Sequence, residues 1–138
     1  MPTNQLSAKE IKRNWHLVDA KDQVLGKLAV DIARKLTGKG KVNFVPYLDS
    51  GDYVVVTNAS KVVVTGKKTK QKNYFRHSGY PGGLKVENFE HLINRRPGEV
   101  IRHAVWGMVP KNKLGRKMIT RLKVFAGENH PFANQISK

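Results

Sequence analysis

The 138-residue sequence has no cysteine, which excludes a disulfide framework and any thiolate metal or redox site. It has no apolar run near the roughly 18 residues that a membrane span needs. The segment MPTNQLSAKEIKRNW lacks the apolar core of a secretory signal. A soluble, intracellular protein is therefore expected. Catalytic signatures are missing as well. Gly26-Lys27 lacks both the glycine four residues earlier and the following Ser or Thr of a phosphate loop. No dinucleotide glycine motif, zinc ligand set or Ser-His-Asp arrangement is present, so neither metal nor cofactor is expected. Acid is scarce too: 10 Asp and Glu stand against 26 Lys and Arg, a formal net charge of +16. None of those acids falls in residues 66–83 or 107–127.

What is present follows from that imbalance. Residues 1–52 carry nine basic and six acidic side chains, and residues 53–138 carry seventeen and four. Such a field repels itself in the compact state, so it implies a polyanionic partner. Nucleic acid fits best. A membrane surface fits poorly, because the cations are spread over several segments instead of one amphipathic helix.

The length suits one domain able to bury its own core. Residues 1–14 are expected to form a flexible basic arm, with Ser7-Ala8-Lys9-Glu10 at capping-box spacing. Residues 15–127 form a single α/β RNA-binding domain, and residues 128–138 a C-terminal tail. Residues 15–20 predict a strand, with His16 packed or at an edge. Leu25, Leu28, Ala29, Ile32, Ala33 and Leu36 follow helical spacing without a miss. Asp22 is placed to cap that helix and Gly38 to end it. Tyr53-Val54-Val55-Val56-Thr57 and Val62-Val63-Val64-Thr65 predict two further buried strands. Residues 85–95 predict a helix with Val86, Phe89, Leu92 and Ile93 inward, carrying Glu87 and His91 as a surface pair. Pro97 suits the first turn of another helix, which buries Val100, Ile101, Ala104, Val105 and Met108. After Pro110, Leu114, Met118, Ile119 and Leu122 share one side of a helical wheel, and Lys113, Arg116, Lys117 and Thr120 share the other. A strand at residues 123–126 closes the domain. The order of elements predicts a largely parallel sheet.

Two acid-free stretches hold most candidate RNA contacts. Lys67, Lys68, Lys70, Lys72 and Arg76 are interleaved with Tyr74, Phe75, His77 and Tyr80. Lysines pair with phosphates, while aromatic and guanidinium planes stack on unpaired bases. Phe75 is expected to anchor this loop to the core. The second stretch supplies Lys111, Lys113, Arg116, Lys117 and Arg121. Lys39 and Lys41 lie in a flexible loop, and Arg95 and Arg96 precede Pro97. Asp19, Asp22, Asp49 and Asp52 sit beside turns or caps, where structural uses suffice.

At Val105-Trp106-Gly107-Met108-Val109-Pro110, Lys111-Asn112-Lys113-Leu114-Gly115-Arg116 and Leu122-Lys123-Val124-Phe125-Ala126-Gly127, the chain resembles the universal L-thirteen family of large-subunit ribosomal proteins in its bacterial form. Residues 15–36, Asp52-Tyr53-Val54-Val55-Val56, His77-Ser78-Gly79-Tyr80-Pro81-Gly82-Gly83 and Arg95-Arg96-Pro97 extend the resemblance in order. It implies a three-layer α/β/α fold around a four-stranded, largely parallel sheet. It also implies a structural, non-enzymatic protein of the cytoplasmic large ribosomal subunit, binding large-subunit rRNA during early assembly beside neighbouring ribosomal proteins. By the same resemblance, residues 67–80 and 111–121 face RNA. No small-molecule substrate is implied. The alternatives are a free RNA-binding translational regulator and a nucleotide-acting α/β enzyme.

Overall fold

The computed structural model describes residues 7–137. Strands β1 (Trp15–Asp19), β2 (Tyr53–Thr57) and β5 (Leu122–Val124) form a parallel sheet in the order β1-β2-β5. Between β2 and β5 lie α2 (Lys68–Gln71), the hairpin β3 (Asn73–His77) and β4 (Leu84–Asn88), and helices α3 (Phe89–Arg95), α4 (Pro97–Trp106) and α5 (Lys113–Thr120). Helix α1 (Leu25–Thr37) joins β1 to β2, and α6 (Ala133–Ile136) follows β5.

The parallel sheet and its amphipathic crossovers match the α/β expectation, but among the described residues the sheet has three strands, not four. Val62–Thr65 supplies no strand; Val63 makes one isolated parallel bridge to Val24. The cause lies upstream. Asn58 adopts φ +56°, and a 3-10 turn at Ala59–Lys61 follows it, lifting the chain from the sheet. Val63 then serves α1. Its carbonyl accepts from the Leu25 N–H at 2.9 Å, and its own N–H donates to the Gln23 carbonyl. Asp22 is accordingly not the expected cap: it sits at φ +57°, and Val24 precedes the helix without a side-chain bond.

Elsewhere α1 follows its sequence pattern. All six spaced apolar residues are buried, and Gly38 at φ +81° ends the helix with its N–H on the Arg34 carbonyl. The same core takes Val54, Val56 and Leu122 from the sheet, Val100, Ile101 and Val105 from α4, and Met118 from α5. Val55 points to the other side of β2, where Trp15 stacks on Tyr53 at 4.3 Å and Phe132 stacks on Trp15 at 5.2 Å. The C-terminal segment thus folds back onto β1. Leu17 on that side stays half exposed, so a full second helical layer is not what covers it.

Helix α5 starts at Lys113, two residues later than the first position open to it after Pro110. The Asn112 side chain accepts from the Gly115 N–H at 2.9 Å, a side-chain N-cap. Gly115 is required by close approach: a Cβ there would lie 1.7 Å from the Pro110 carbonyl oxygen. Leu122 belongs to β5 instead of the helical face, while Met118 is buried and Arg116, Lys117 and Lys113 are exposed as expected. Met118→Ala should cost about 2–5 kcal/mol, read as a fall in the urea midpoint with unchanged slope.

A buried polar knot holds the loop after α1. Arg121 is 6% exposed; its guanidinium pairs with both Asp49 carboxylate oxygens and donates to the Leu36 carbonyl at 2.8 Å. Gly51 passes so close that a Cβ would meet the Leu36 carbonyl oxygen at 1.6 Å. Asp52 binds Lys41 at 2.6 Å and His16 at 2.8 Å, and accepts from the Asn14 N–H. Burial pulls the Asp52 carboxyl upward, yet the Lys41, Asn14 and His16 bonds outweigh it and hold it below the usual range. Arg13 donates to the Asp49 carbonyl at 2.8 Å, and Lys41 also reaches the Lys12 carbonyl. Residues 12–14 of the expected arm are therefore tied to this knot. The Ser7–Glu10 capping box forms as expected. Residues 1–6 of that arm lie outside the described residues.

Candidate nucleic-acid interface

The acid-free stretch at residues 66–83, expected as a loop, is largely helix α2 and strand β3. Lys67 and α2 present Lys68 and Lys70, all exposed, and Lys72 places its ammonium 5.7 Å from the Tyr74 ring centre. The chain then enters an antiparallel hairpin whose register pairs Tyr74 with Glu87, Phe75 with Val86, Arg76 with Lys85 and His77 with Leu84. Residues 85–88 are thus strand, not the first turn of a helix. Side chains alternate across a strand. Tyr74 and Arg76 therefore share one face with Lys85 and Glu87, while Phe75 shares the other with Val86.

That alternation corrects two expectations. Phe75 is no core anchor, being 67% exposed, and Val86 is also exposed. Tyr74 is the anchor instead. It packs against the core, sits edge-on to His103 at 5.2 Å and buries its hydroxyl without a partner. Burial pushes its pKa up. His77 and Tyr80 stand exposed at the hairpin end, where Gly79 and Gly82 adopt positive φ.

Helix α4 links this hairpin to the second basic stretch. Glu99 and His103 line a cleft with Arg76, Arg95 and Arg96 on one side and a shallow hollow with Trp106 and Arg116 on the other. Lys68 and Lys72 line a further hollow with Ala104 and Met108. Met108 is 45% exposed, so it is not the core residue expected. Lys39 stands beside Met108, Val109 and Pro110, at the root of the Lys111 segment. Stretches far apart in sequence thereby border hollows that share residues of α4 and of the segment just after it.

Not every expected contact is free to serve there. Arg121 is committed to Asp49 beneath the surface, so its place is in the fold and not at an RNA face. Lys41 is likewise spent on Asp52 and the Ser50 carbonyl. Lys111 donates to the Trp106 carbonyl at 2.6 Å and lies 5.2 Å from the Trp106 ring centre, capping the end of α4. Arg95 forms a two-pronged pair with Glu87, at 2.9 and 2.6 Å. His91 joins from α3, completing a surface cluster. Lys113, Arg116, Lys117 and Arg96 make no ion pair among the described residues.

The Arg95 hydrogen bonds hold the Glu87 carboxyl down at about 2. Because the folded-state value lies below the ordinary one near 4.5, the pair supports the fold above that pH and is lost as pH falls through about 2. An NMR titration should find the Glu87 midpoint near 2, and Arg95→Ala should return it toward the ordinary range.

Lys85, His103 and Trp106, which the sequence did not single out as contacts, line these hollows beside the expected cations. Strand alternation in residues 84–88, set against residues 73–77 across a glycine-rich turn, was the available signal for Lys85. The acids behave as structural groups: Asp19 accepts from Asn58 and the Lys21 N–H, bonds that hold its carboxyl low. No group of three or more His, Cys, Asp or Glu among the described residues could hold a metal ion.

The family described as Ribosomal protein L13 matches residues 13–131. A Large ribosomal subunit protein uL13 from Legionella pneumophila (strain Corby) is 51% identical over all of this chain and 96% of its own length. Its counterpart from Natranaerobius thermophilus is 56% identical across 91% of this chain and 88% of its own. That from Chlorobium phaeobacteroides is 52% identical, covering 91% and 85%. Identity at this level over nearly the whole length, on a parallel α/β core with its basic stretches outward, places the chain in the ribosomal protein L13 family.

Proposed function

We propose that the chain is a structural constituent of the large ribosomal subunit that binds large-subunit rRNA through the region along α4, supports early subunit assembly and remains beside neighbouring ribosomal proteins. The observation that carries this reading is the placement of two acid-free stretches around one helix, with every cation of the first and Lys113, Arg116 and Lys117 of the second exposed. The relatives are named as large-subunit proteins, which agrees with that role and with a non-catalytic one. Lys67, Lys68, Lys70, Lys72, Lys113, Arg116 and Lys117 supply phosphate contacts, and Arg76, His77, Tyr80 and Arg96 add contacts to unpaired nucleotides.

Arg116→Ala with Lys117→Ala should weaken binding to deproteinised large-subunit rRNA and leave the melting temperature nearly unchanged, because both side chains are exposed. With about eight phosphates neutralised, log K for the parent protein should fall against log salt with a slope of several units. A flat salt titration refutes the reading. A melting temperature that collapses in the double variant refutes the placement of those two residues.

A further inference from the structure

The cleft between the hairpin and α3–α4 has a volume of about 280 Å³ and is lined by Tyr74, Arg76, Lys85, Arg96 and His103, among others. Arg76 and Lys85 are direct cross-strand partners on its wall. Like charges in that position repel and destabilise a hairpin. Two acids, Glu87 and Glu99, line the same cleft, and both are engaged with other cations. Glu87 is taken by Arg95 and His91, and Glu99 pairs with Arg102 at 3.4 Å. Arg76, Lys85 and Arg96 have no ion-pair partner among the described residues. Three cations without ion-pair partners around a mostly apolar cleft call for an anion joined to a flat, partly apolar body. The volume suits one such unit and is too small for a helix of paired strands.

We propose that this cleft receives a single unpaired nucleotide of the bound RNA. Its phosphate lies between Arg76 and Lys85, with Arg96 at the rim, and its base rests against Tyr74 and His103. A guanidinium suits the two-pronged phosphate contact, and the ammonium adds a point charge. Unpaired bases are the parts of RNA that reach such recesses. This site rests on the rRNA-binding reading and adds Lys85 and His103 to it.

The test uses the full chain, deproteinised large-subunit rRNA and a salt series at pH 8. Arg76→Ala with Lys85→Ala should weaken binding at least tenfold and lower the salt slope by about 0.7, the contribution of one single-strand phosphate. Arg76→Lys with Lys85→Arg keeps both charges and should restore the slope; it also serves if the alanine pair melts early. His103→Ala should weaken binding about five- to a hundredfold, the range for loss of one stacked base, with little change in slope. If the alanine pair binds with parental affinity and slope while Arg116→Ala with Lys117→Ala still weakens binding, the cleft proposal is overturned and the broader reading stands. If the parent protein shows no salt-dependent binding, both fall. Competition by adenosine monophosphate at concentrations matching the RNA would identify a free nucleotide as the ligand and overturn the assignment to RNA.

Discussion

Arg121→Ala is expected to cost about 3–5 kcal/mol of folding stability, the usual consequence of removing one member of a buried ion pair. The loss has three parts. The Asp49 carboxylate keeps only a peripheral contact with Arg13, at 3.5 Å. The Leu36 carbonyl at the end of α1 loses its 2.8 Å donor. The Asp52 carbonyl loses the hydrogen bond from the Arg121 Nε. These groups belong to α1 and the loop before β2, and Arg121 itself directly precedes β5, so one side chain ties three parts of the core together. Arg121→Met with Asp49→Leu should recover most of the loss, because buried pairs replaced by apolar groups of similar volume are often neutral in stability. Urea unfolding followed by circular dichroism decides the matter. A single variant as stable as the parent would return Arg121 to the surface and to the RNA.

The second large effect falls on binding alone. Lys67, Lys68, Lys70 and Lys72 are exposed, and none has an ion-pair partner among the described residues. At roughly 0.5–1 kcal/mol for each exposed charge pair, replacing all four by alanine should remove about 2–4 kcal/mol of affinity for large-subunit rRNA. That corresponds to about a thirtyfold to a thousandfold rise in Kd. The salt slope should fall by roughly 3 to 4, close to one unit for each phosphate left without its lysine. Stability should hardly move, since α2 buries no residue. A Kd that rises without any change in slope would mean that these lysines shape the hairpin and leave phosphates to other groups.

The two variants separate what was legible in the sequence from what was not. Helical spacing in α1 identified every one of its buried apolar residues, because a 3.6-residue repeat survives any tertiary arrangement. The apolar run Val54–Val56 marked a buried strand for the same kind of reason. Arg121 shows the limit. It sits in a basic run, and nothing local distinguishes it from Arg116. Its burial depends on Asp49, 72 residues earlier, and on a glycine at position 51 that lets two chain segments touch. The fourth strand failed similarly: Val62–Val64 has the composition of a strand, yet left-handed Asn58 and the turn behind it redirect the chain. In the candidate interface, composition located both basic stretches. The hairpin register that pairs Arg76 with Lys85 and turns Phe75 outward is a pairing property, which spacing along one strand does not contain.

The central claim is that rRNA lies along α4, bordered by the hairpin on one side and α5 on the other. Crosslinking of intact large subunits containing this protein, with each crosslinked residue mapped, tests it most directly. Crosslinks concentrated in residues 67–85 and 113–117, with none at Arg121, are the expected result. Crosslinks confined to the opposite face around Leu17 and Phe132, leaving those two stretches unmodified, would contradict it.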